Sequence, residues 1–267
     1  MSETTGRPKA GGTSGPQGTA EPNAASGPSR AYWEDRYGQQ EQFWSGRPNA
    51  QLLDLAGSLR PGAALDLGSG EGGDALWLAE RGWTVTALDI SQTALDRGAA
   101  EADRRGLDDA IVWLQRDLTE WQPVPGAYEL VSACYLQSPL DFPRDEILRA
   151  AATAVAPGGN LLVVAHTGTP PWAARADADA ETEPETEAHR AARGDGAHGH
   201  GHAAHGHGAH EHGAHDDLPS AAQTLDSLRL DPEAWTVLVC EDRRRTVTAP
   251  DGSSATLEDA VVLLERR

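Results

Sequence analysis

A glycine-rich turn between a predicted strand and a predicted helix constrains this chain more than any other feature. Residues 66–73 read DLGSGEGG; they follow the short apolar run 63–67 and precede a helical pattern at 75–79. Glycine lets the backbone turn sharply and approach a ligand closely. Open α/β sheets bind ligands at the carboxyl ends of their strands, so the turn predicts a binding site.

Strand-like and helix-like segments alternate around this turn. Helices are expected from Ser91 to Arg105, ended by Gly106, and from 144 to 155, ended by 157–159. Five apolar strands are predicted, at 63–67, 84–88, 111–114, 130–134 and 161–165. This alternation predicts an α/β fold with a Rossmann-like, doubly wound and mostly parallel sheet.

The end of the chain follows another pattern. Two strands are predicted at 235–240 and 260–264, with a turn signal at Pro250-Asp251-Gly252 between them. No helix of normal length fits between them. We therefore expect an antiparallel hairpin at one edge of the sheet.

Composition divides the chain into a tail, a domain and an insert. Residues 1–29 contain almost no large apolar side chain, which predicts a disordered tail, and 30–267 form one domain. An acidic and histidine-rich low-complexity insert is expected at about 170–217. Imidazoles bind divalent metals, so loose metal binding is expected there, with a functionless expansion as the alternative. Its histidines are His198, His200, His202, His205, His207, His210, His212 and His215.

Charge and cysteine content narrow the classes of partner. The formal net charge is −19, from 41 acidic and 22 basic residues, and phosphate backbones need a basic footprint. We therefore expect neither nucleic acid nor membrane as a partner. The chain has two cysteines without a CxxC pair, no secretory signal and no membrane span, which predicts a cytoplasmic protein.

Three acids after successive strands decide which ligand the turn serves. The glycines at 68, 70 and 73 also fit GxGxxG, so the turn alone leaves a nicotinamide-dependent oxidoreductase open. Asp66 is placed to bind an ammonium group rather than a pyrophosphate. Asp89, at the end of the second strand, would accept ribose hydroxyls. Asp117 and Leu118, after the third strand, would meet an adenine.

The chain resembles class I S-adenosylmethionine-dependent methyltransferases, with the closest likeness to the tellurite-resistance and thiopurine methyltransferase branch. The resemblance covers about 32–168 and, more loosely, 218–267. Two departures are Ser69, where many members have cysteine, and Glu129, where many have aspartate. The matching segments are LDLGSGEGGDALWLAERGWTVTALDIS, RDLTEW, YELVSACYLQSP and VAPGGNLLVVA.

The resemblance implies S-adenosyl-L-methionine as cofactor and a small-molecule methyl acceptor, with a thiol or metalloid favoured. A catalytically inactive Rossmann-like metal-binding protein, using the histidine-rich insert, is the alternative. Ala133 and Cys134 would line the methionine side. The cofactor-binding residues expected are Asp66, Gly68, Ser69, Gly70, Gly72, Asp89, Ile90, Asp117, Leu118, Ala133, Trp33 and Trp44.

Aromatic residues concentrate at Tyr32, Trp33, Tyr37, Phe43 and Trp44. Aromatic faces attract cations such as a sulfonium. Trp33, Tyr37 or Trp44 is therefore expected to line the site as a lid, and simple packing of a helix onto the sheet is the alternative.

Methyl transfer needs alignment of the two reactants and exclusion of water, and a base only when the acceptor arrives protonated. Tyr135, Gln137 and His166 follow strands at the expected site. His166 is a weak candidate for the base because histidine titrates near neutrality. For each residue, packing or solvation at a strand end is the alternative.

Overall fold

The computed structural model describes residues 27–40, 46–168, 218–249 and 251–267. Within these ranges the chain forms a seven-stranded sheet with helices on both faces. The strands are β1 (Ala63–Leu67), β2 (Thr84–Asp89), β3 (Ile111–Gln115), β4 (Tyr128–Cys134), β5 (Val155–His166), β6 (Trp235–Thr248) and β7 (Ser254–Arg266). The helices are α1 (Pro28–Gly38), α2 (Ala50–Ala56), α3 (Gly73–Glu80), α4 (Gln92–Arg105), α5 (Arg144–Ala154) and α6 (Ala221–Leu228), with a 3-10 turn at Asp108–Ala110.

The strand order is β3-β2-β1-β4-β5-β7-β6. The first five strands in this order pair in parallel, and β7 joins β5 and β6 antiparallel. The predicted Rossmann-like class and the antiparallel hairpin at one edge are both confirmed. The carboxyl ends of β1 to β5 therefore meet along one edge of the sheet.

The two faces of the sheet bury alternate residues of each strand. On β1, Leu65 packs into a core that includes Leu148 of α5, whereas Ala64 packs into a second core that includes Leu78 of α3. β4 and β5 alternate in the same way, as period-2 side-chain geometry requires. Burial on both faces explains why these strands are continuous apolar runs rather than polar and apolar alternations.

Local signals set the helix ends where the sequence predicted them. The Ser91 side chain accepts a hydrogen bond from the amide of Ala94 at 3.2 Å and caps α4. Gly106 ends α4 with a φ of +67°, in the left-handed region that favours glycine. The helix α1 begins at Pro28, two residues before the predicted domain boundary at 30.

Three elements differ from the sequence prediction. β5 begins at Val155, directly after α5, so 157–159 lie inside a strand rather than only ending a helix. The hairpin strands extend to Thr248 and from Ser254, because charged residues pair across them, including Arg244 with Glu258. The helix α6 was not predicted, although Ser220 and Gln223 form a capping box at its start.

The hairpin projects beyond the sheet edge. β5 pairs with β7 only as far as His166 and Asp259, whereas β6 and β7 continue to Thr248 and Ser254. Residues near the start of β7 are therefore brought to the carboxyl ends of the parallel strands. Among the described helices, none is both long and apolar enough to cross a bilayer.

Candidate active site

A cavity of about 310 Å³ lies at the carboxyl edge of the sheet. Its walls come from the segments that follow β1 to β5 and from α1. Nine of the twelve predicted cofactor-binding residues line it: Trp33, Asp66, Gly68, Ser69, Gly70, Asp89, Ile90, Asp117 and Leu118. Tyr37, Cys134, Tyr135, Gln137 and His166 line it as well.

Two predicted residues do not line the cavity, and one lies outside the described residues. Gly72 has a φ of +81° and precedes α3, where a Cβ would collide with the Trp113 ring. Glycine is therefore needed there for a tight turn and close packing, and its contact with the cofactor stays a prediction. Ala133 is fully buried in the core between the sheet and α5. Trp44, like Phe43, lies outside the described ranges.

The turn after β1 requires glycine at two positions that do line the cavity. Gly68 has a φ of +67°, and a Cβ there would lie 2.7 Å from Cδ1 of Leu136. Gly70 has a φ of +54°, and its amide donates to Oδ2 of Asp89 at 2.8 Å. A side chain at either position would strain the backbone, so the turn can form this wall only with glycine.

Asp66 is a buried acid of the site with one oxygen that lacks a hydrogen-bond partner among the described residues. It is 2 % exposed, and its Oδ1 accepts a hydrogen bond from the Ser132 hydroxyl at 2.9 Å. Oδ2 is buried with no hydrogen-bond partner among the described residues. Burial, reinforced by the charges of Asp74 and Asp89, raises the pKa of Asp66 well above its ordinary value. A buried acceptor without a donor is costly, and a cationic donor in the cavity would satisfy it.

Asp89 is held by backbone amides at both of its oxygens. Oδ2 accepts from Gly70 at 2.8 Å and Oδ1 from Ser91 at 2.9 Å. Burial nevertheless raises its pKa to about 6. Each carboxylate oxygen has a second acceptor position, so Asp89 is fixed in orientation and can still accept two ligand hydroxyls.

Asp74 was missed by the sequence prediction and also lines the cavity. It accepts hydrogen bonds from the Asn49 amide and from the Cys134 thiol. Burial raises the pKa of Asp74. Burial together with the charge of Asp74 raises the pKa of Cys134 well above its usual range. Cys134 is therefore a neutral thiol. Asp66, Asp74 and Asp89 together give this part of the cavity carboxyl groups that a cationic ligand would stabilise in their ionised form.

The segment after β3 supplies Asp117 and Leu118. Oδ1 of Asp117 accepts from the Thr119 amide at 2.9 Å and from its hydroxyl at 2.7 Å. This local turn orients the carboxylate at the cavity wall, beside the mostly buried Leu118.

The helix α1 closes one side of the cavity with Trp33 and Tyr37. Glu34 attaches this helix to the start of α4, where it accepts from the Ser91 hydroxyl at 2.9 Å and from the Gln92 amide at 2.7 Å. Arg97 of α4 donates back to the backbone carbonyl of Tyr37 at 2.8 Å. Glu34 was not predicted, because nothing in the local sequence indicates its distant partners.

The far end of the cavity holds Tyr135 and His166, whose rings stack with centroids 4.2 Å apart. His166 Nδ1 lies 3.2 Å from Oδ1 of Asp259, and Tyr135 donates to Oδ2 of the same carboxylate at 3.0 Å. Gln137 is used structurally, since its Oε1 accepts from the backbone amide of His166 at 3.1 Å. Asp259 was missed because it lies 93 residues from His166 in sequence.

The described ranges contain no group of three or more His, Cys, Asp or Glu residues arranged to hold a metal ion. The eight histidines from His198 to His215 lie outside those ranges, so their metal binding stays a prediction.

The fold and the cavity define an α/β protein with a ligand site at the carboxyl ends of a Rossmann-like sheet. Residues 64–159, which contain the glycine turn and the first four parallel strands, match the family described as a methyltransferase domain.

Three relatives are similar to the chain. The chain is 32 % identical over 126 residues to the 2-heptyl-1-hydroxyquinolin-4(1H)-one methyltransferase of Mycobacteroides abscessus. The matched region covers 45 % of this chain and 54 % of that relative. The chain thus matches about half the length of that protein. The structure of a geranyl diphosphate C-methyltransferase from Streptomyces coelicolor, in complex with S-adenosyl-L-homocysteine, superposes with a TM-score of 0.57 at 12 % identity, covering 91 % of this chain and all of that one. TehB from Haemophilus influenzae superposes with a TM-score of 0.55 at 15 % identity, covering 88 % and 67 %.

Proposed function

We propose that the chain is an S-adenosyl-L-methionine-dependent methyltransferase that acts on a small molecule. The observation that carries the proposal is the unpartnered, buried Oδ2 of Asp66 beside Asp74 and Asp89. Cavities lined by several acids favour a cation, and this cofactor brings both an ammonium and a sulfonium group. The methyltransferase-domain match over 64–159 supports the same ligand.

The residues of the cavity fit the cofactor part by part. Asp66, with the glycine turn, suits the ammonium end, and the two oxygens of Asp89 suit ribose hydroxyls. Asp117 and Leu118 suit an adenine, through one acceptor and one apolar surface. Trp33 and Tyr37 of α1 suit the sulfonium, because aromatic faces attract cations.

The acceptor is expected to be small. The net charge of −19 opposes a polyanionic substrate, and the relative from Mycobacteroides abscessus is named for a small quinolone. The thiol or metalloid acceptor implied by the tellurite-resistance resemblance stays a prediction, because the likeness to TehB is one of fold.

Calorimetric titration of S-adenosyl-L-methionine tests the proposal directly. The wild-type protein is expected to bind the cofactor at one site, and Asp89→Ala is expected to lose that binding. Asp96→Ala is the matched control, because Asp96 is an exposed residue of α4 that bonds only Gln92 in the described structure.

No binding by the wild-type protein would overturn the proposal. Binding of a nicotinamide dinucleotide in its place would favour the oxidoreductase that the GxGxxG spacing leaves open. Stoichiometric nickel or zinc binding without cofactor binding would favour the metal-binding alternative.

A further inference from the structure

Four side chains at the end of β5 form a cluster that the proposed cofactor site does not use. Asp259 of β7, fully buried, accepts from Arg245 of β6 at 2.6 Å and from Tyr135 at 3.0 Å, both at Oδ2. Its Oδ1 lies 3.2 Å from Nδ1 of His166. Of these residues, Tyr135 and His166 reach the cavity.

The cluster fixes the protonation of the His166 ring. Burial tends to raise the pKa of Asp259. The hydrogen bonds from His166, Arg245 and Tyr135 outweigh this effect and hold the pKa below its ordinary value. An ionised carboxylate only accepts hydrogen bonds, so Nδ1 must carry the proton and donate to Asp259. In the neutral ring the lone pair then lies on Nε2, the nitrogen that remains to accept a proton.

Tyr135 supports this geometry at a cost to the backbone. Its φ is +55°, in a region that residues other than glycine rarely adopt, and such strain concentrates where a site requires it. The strained backbone places the phenol ring against the imidazole and its hydroxyl on Asp259. Burial raises the pKa of Tyr135, so the phenol is a hydrogen-bond donor here and not the base.

We propose that His166 is the general base of the methyl transfer, that Asp259 is its positioning residue, and that the acceptor is a flat compound with a weakly acidic hydroxyl group. The inference rests on the proposed function and narrows its acceptor. A positioned base is needed only when the nucleophile arrives protonated, and a phenolic hydroxyl, with an ordinary pKa of about 10 against about 8.5 for a thiol, depends on that base more. Phe142 and the stacked rings of Tyr135 and His166 also line the cavity, and these aromatic walls suit a flat molecule.

The step balances without a further reactant. When bound, the cofactor supplies a methyl group on sulfur and leaves as a neutral thioether. The acceptor oxygen forms the new C–O bond as the C–S bond breaks, and His166 Nε2 takes the hydroxyl proton. Asp259 stabilises the resulting imidazolium, and the ring, 31 % exposed, returns the proton to solvent.

The experiment uses the whole 267-residue chain with His166→Gln, Asp259→Asn and the control Glu258→Gln. Glu258 precedes Asp259 on β7, but its side chain pairs with the exposed Arg244. The acceptor probes are 2-heptyl-1-hydroxyquinolin-4(1H)-one and 2-naphthol, a flat phenol that is protonated near neutral pH, with tellurite and a simple thiol as competing classes. Because His166 is partly exposed, its variant keeps the test valid if Asp259→Asn does not fold.

Kinetics should separate the roles of the variants. His166→Gln is expected to lower kcat on the hydroxyl acceptors about 10²–10⁴-fold, with KM for the cofactor within twofold. Asp259→Asn should lower kcat less, and Glu258→Gln should leave kcat unchanged.

The acidic limb of the kcat–pH profile should disappear in His166→Gln. In the described structure the groups facing this ring are Tyr135, Asp259 and Arg245, with Cys134 within electrostatic range of Asp259.

Nitrogen NMR of the His166 ring gives a readout that is independent of turnover. The wild-type and Glu258→Gln proteins should show the Nδ1–H tautomer, and Asp259→Asn should lose this preference. An Nε2–H tautomer in the wild type, or unchanged kcat in His166→Gln, would overturn the assignment of the base.

Methylation of tellurite or the thiol, or no methylation of either hydroxyl probe, would overturn the acceptor class. Calorimetry separates these outcomes from failure of the proposed function. If the proposed function is right, every variant binds the cofactor whatever its kcat.

Discussion

Single carboxylates determine both the binding capacity of the cavity and its cost to the fold. Asp66 and Asp89 are almost fully buried, and burial raises the pKa of each. Buried charges without a counter-ion are unfavourable. A cation or hydroxyl donors in the cavity would relieve this cost, so ligand binding and the protonation of these groups are coupled.

Cofactor affinity is therefore expected to fall in acid. Ligand hydroxyls bond best to ionised Asp89, and its pKa is about 6, so at pH 5 about a tenth of the protein carries the charge. Calorimetry should show about tenfold weaker binding at pH 5 than at pH 8 from this group. Asp89→Asn should bind weakly and lose that tenfold change, leaving only the contribution of Asp66. An equal pH dependence in both proteins would contradict the role of Asp89.

Asp66 is expected to destabilise the ligand-free protein near neutrality. Its folded-state pKa is raised, so its stabilising contribution is complete only below the unfolded value of about 4 and is lost as pH rises through the folded pKa. Asp66→Asn should thus raise the free energy of unfolding at pH 8 by about 1–3 kcal/mol, or about 2–4 °C of Tm per kcal/mol, and by less at pH 5. Denaturant unfolding measures this, and Asp96→Asn is the neutral control. Lower stability of Asp66→Asn at pH 8 would contradict the account.

The roles of these acids were predictable in part. Their place after successive strands follows from the alternation of strands and helices, which local sequence carries. The unpartnered Oδ2 of Asp66 and the contribution of Asp74 were not predictable, because both depend on which side chains meet across the sheet edge. The packing of Gly72 against Trp113 was not predictable either, because it depends on how two distant elements meet.

At the scale of elements, α1 is held to the domain by polar contacts with α4. Partial burial tends to raise the pKa of Glu34. Hydrogen bonds from Thr93, Gln92 and Ser91 outweigh this effect and hold the pKa below its ordinary value. A carboxylate at a helix N-terminus also interacts favourably with the exposed amides. Because α1 carries Trp33 and Tyr37 into the cavity wall, its docking and ligand affinity should be linked.

Glu34→Gln is expected to weaken cofactor binding about 2–5-fold, because loss of a charged helix-terminal contact costs about 0.5–1 kcal/mol. Calorimetry checks the affinity, and limited proteolysis before Tyr37 checks the docking of α1. Asp35→Asn is the matched control, because Asp35 is the next residue and bonds only Gln39 in the described part of the chain. Wild-type affinity in Glu34→Gln would mean that the other contacts of α1, including that of Arg97 with the Tyr37 carbonyl, hold the helix without Glu34.

The hairpin and α6 mark the limits of element prediction. The segment 241–248 is polar and was assigned to no strand, yet it pairs with β7 over its whole length. Exposed edge strands do not need apolar residues, and charge pairs across the strands replace them. The capping box of α6 was a usable local signal, but it lies next to the low-complexity insert and was not recognised.

At the scale of the whole molecule, the insert and the domain are expected to act separately. Replacing 169–217 with a short Gly-Ser linker should leave cofactor affinity unchanged, because all twelve residues expected to bind the cofactor lie outside this segment. Loose nickel or zinc binding should disappear with the eight histidines. Calorimetry with each ligand on both proteins makes the comparison. Loss of cofactor binding in the shortened chain would show that the insert contributes to the site.

The sequence by itself determined the sheet class, the parallel strands and the edge at which the site lies, because strand periodicity, caps and glycine turns are local properties. It also placed nine of the expected ligand-site residues at the cavity. Only the tertiary structure decided which distant groups meet there: Glu34 with Ser91, and Asp259 with His166 and Tyr135. These contacts depend on strand register and helix docking, which are set by the packing of the whole chain and not by neighbouring residues.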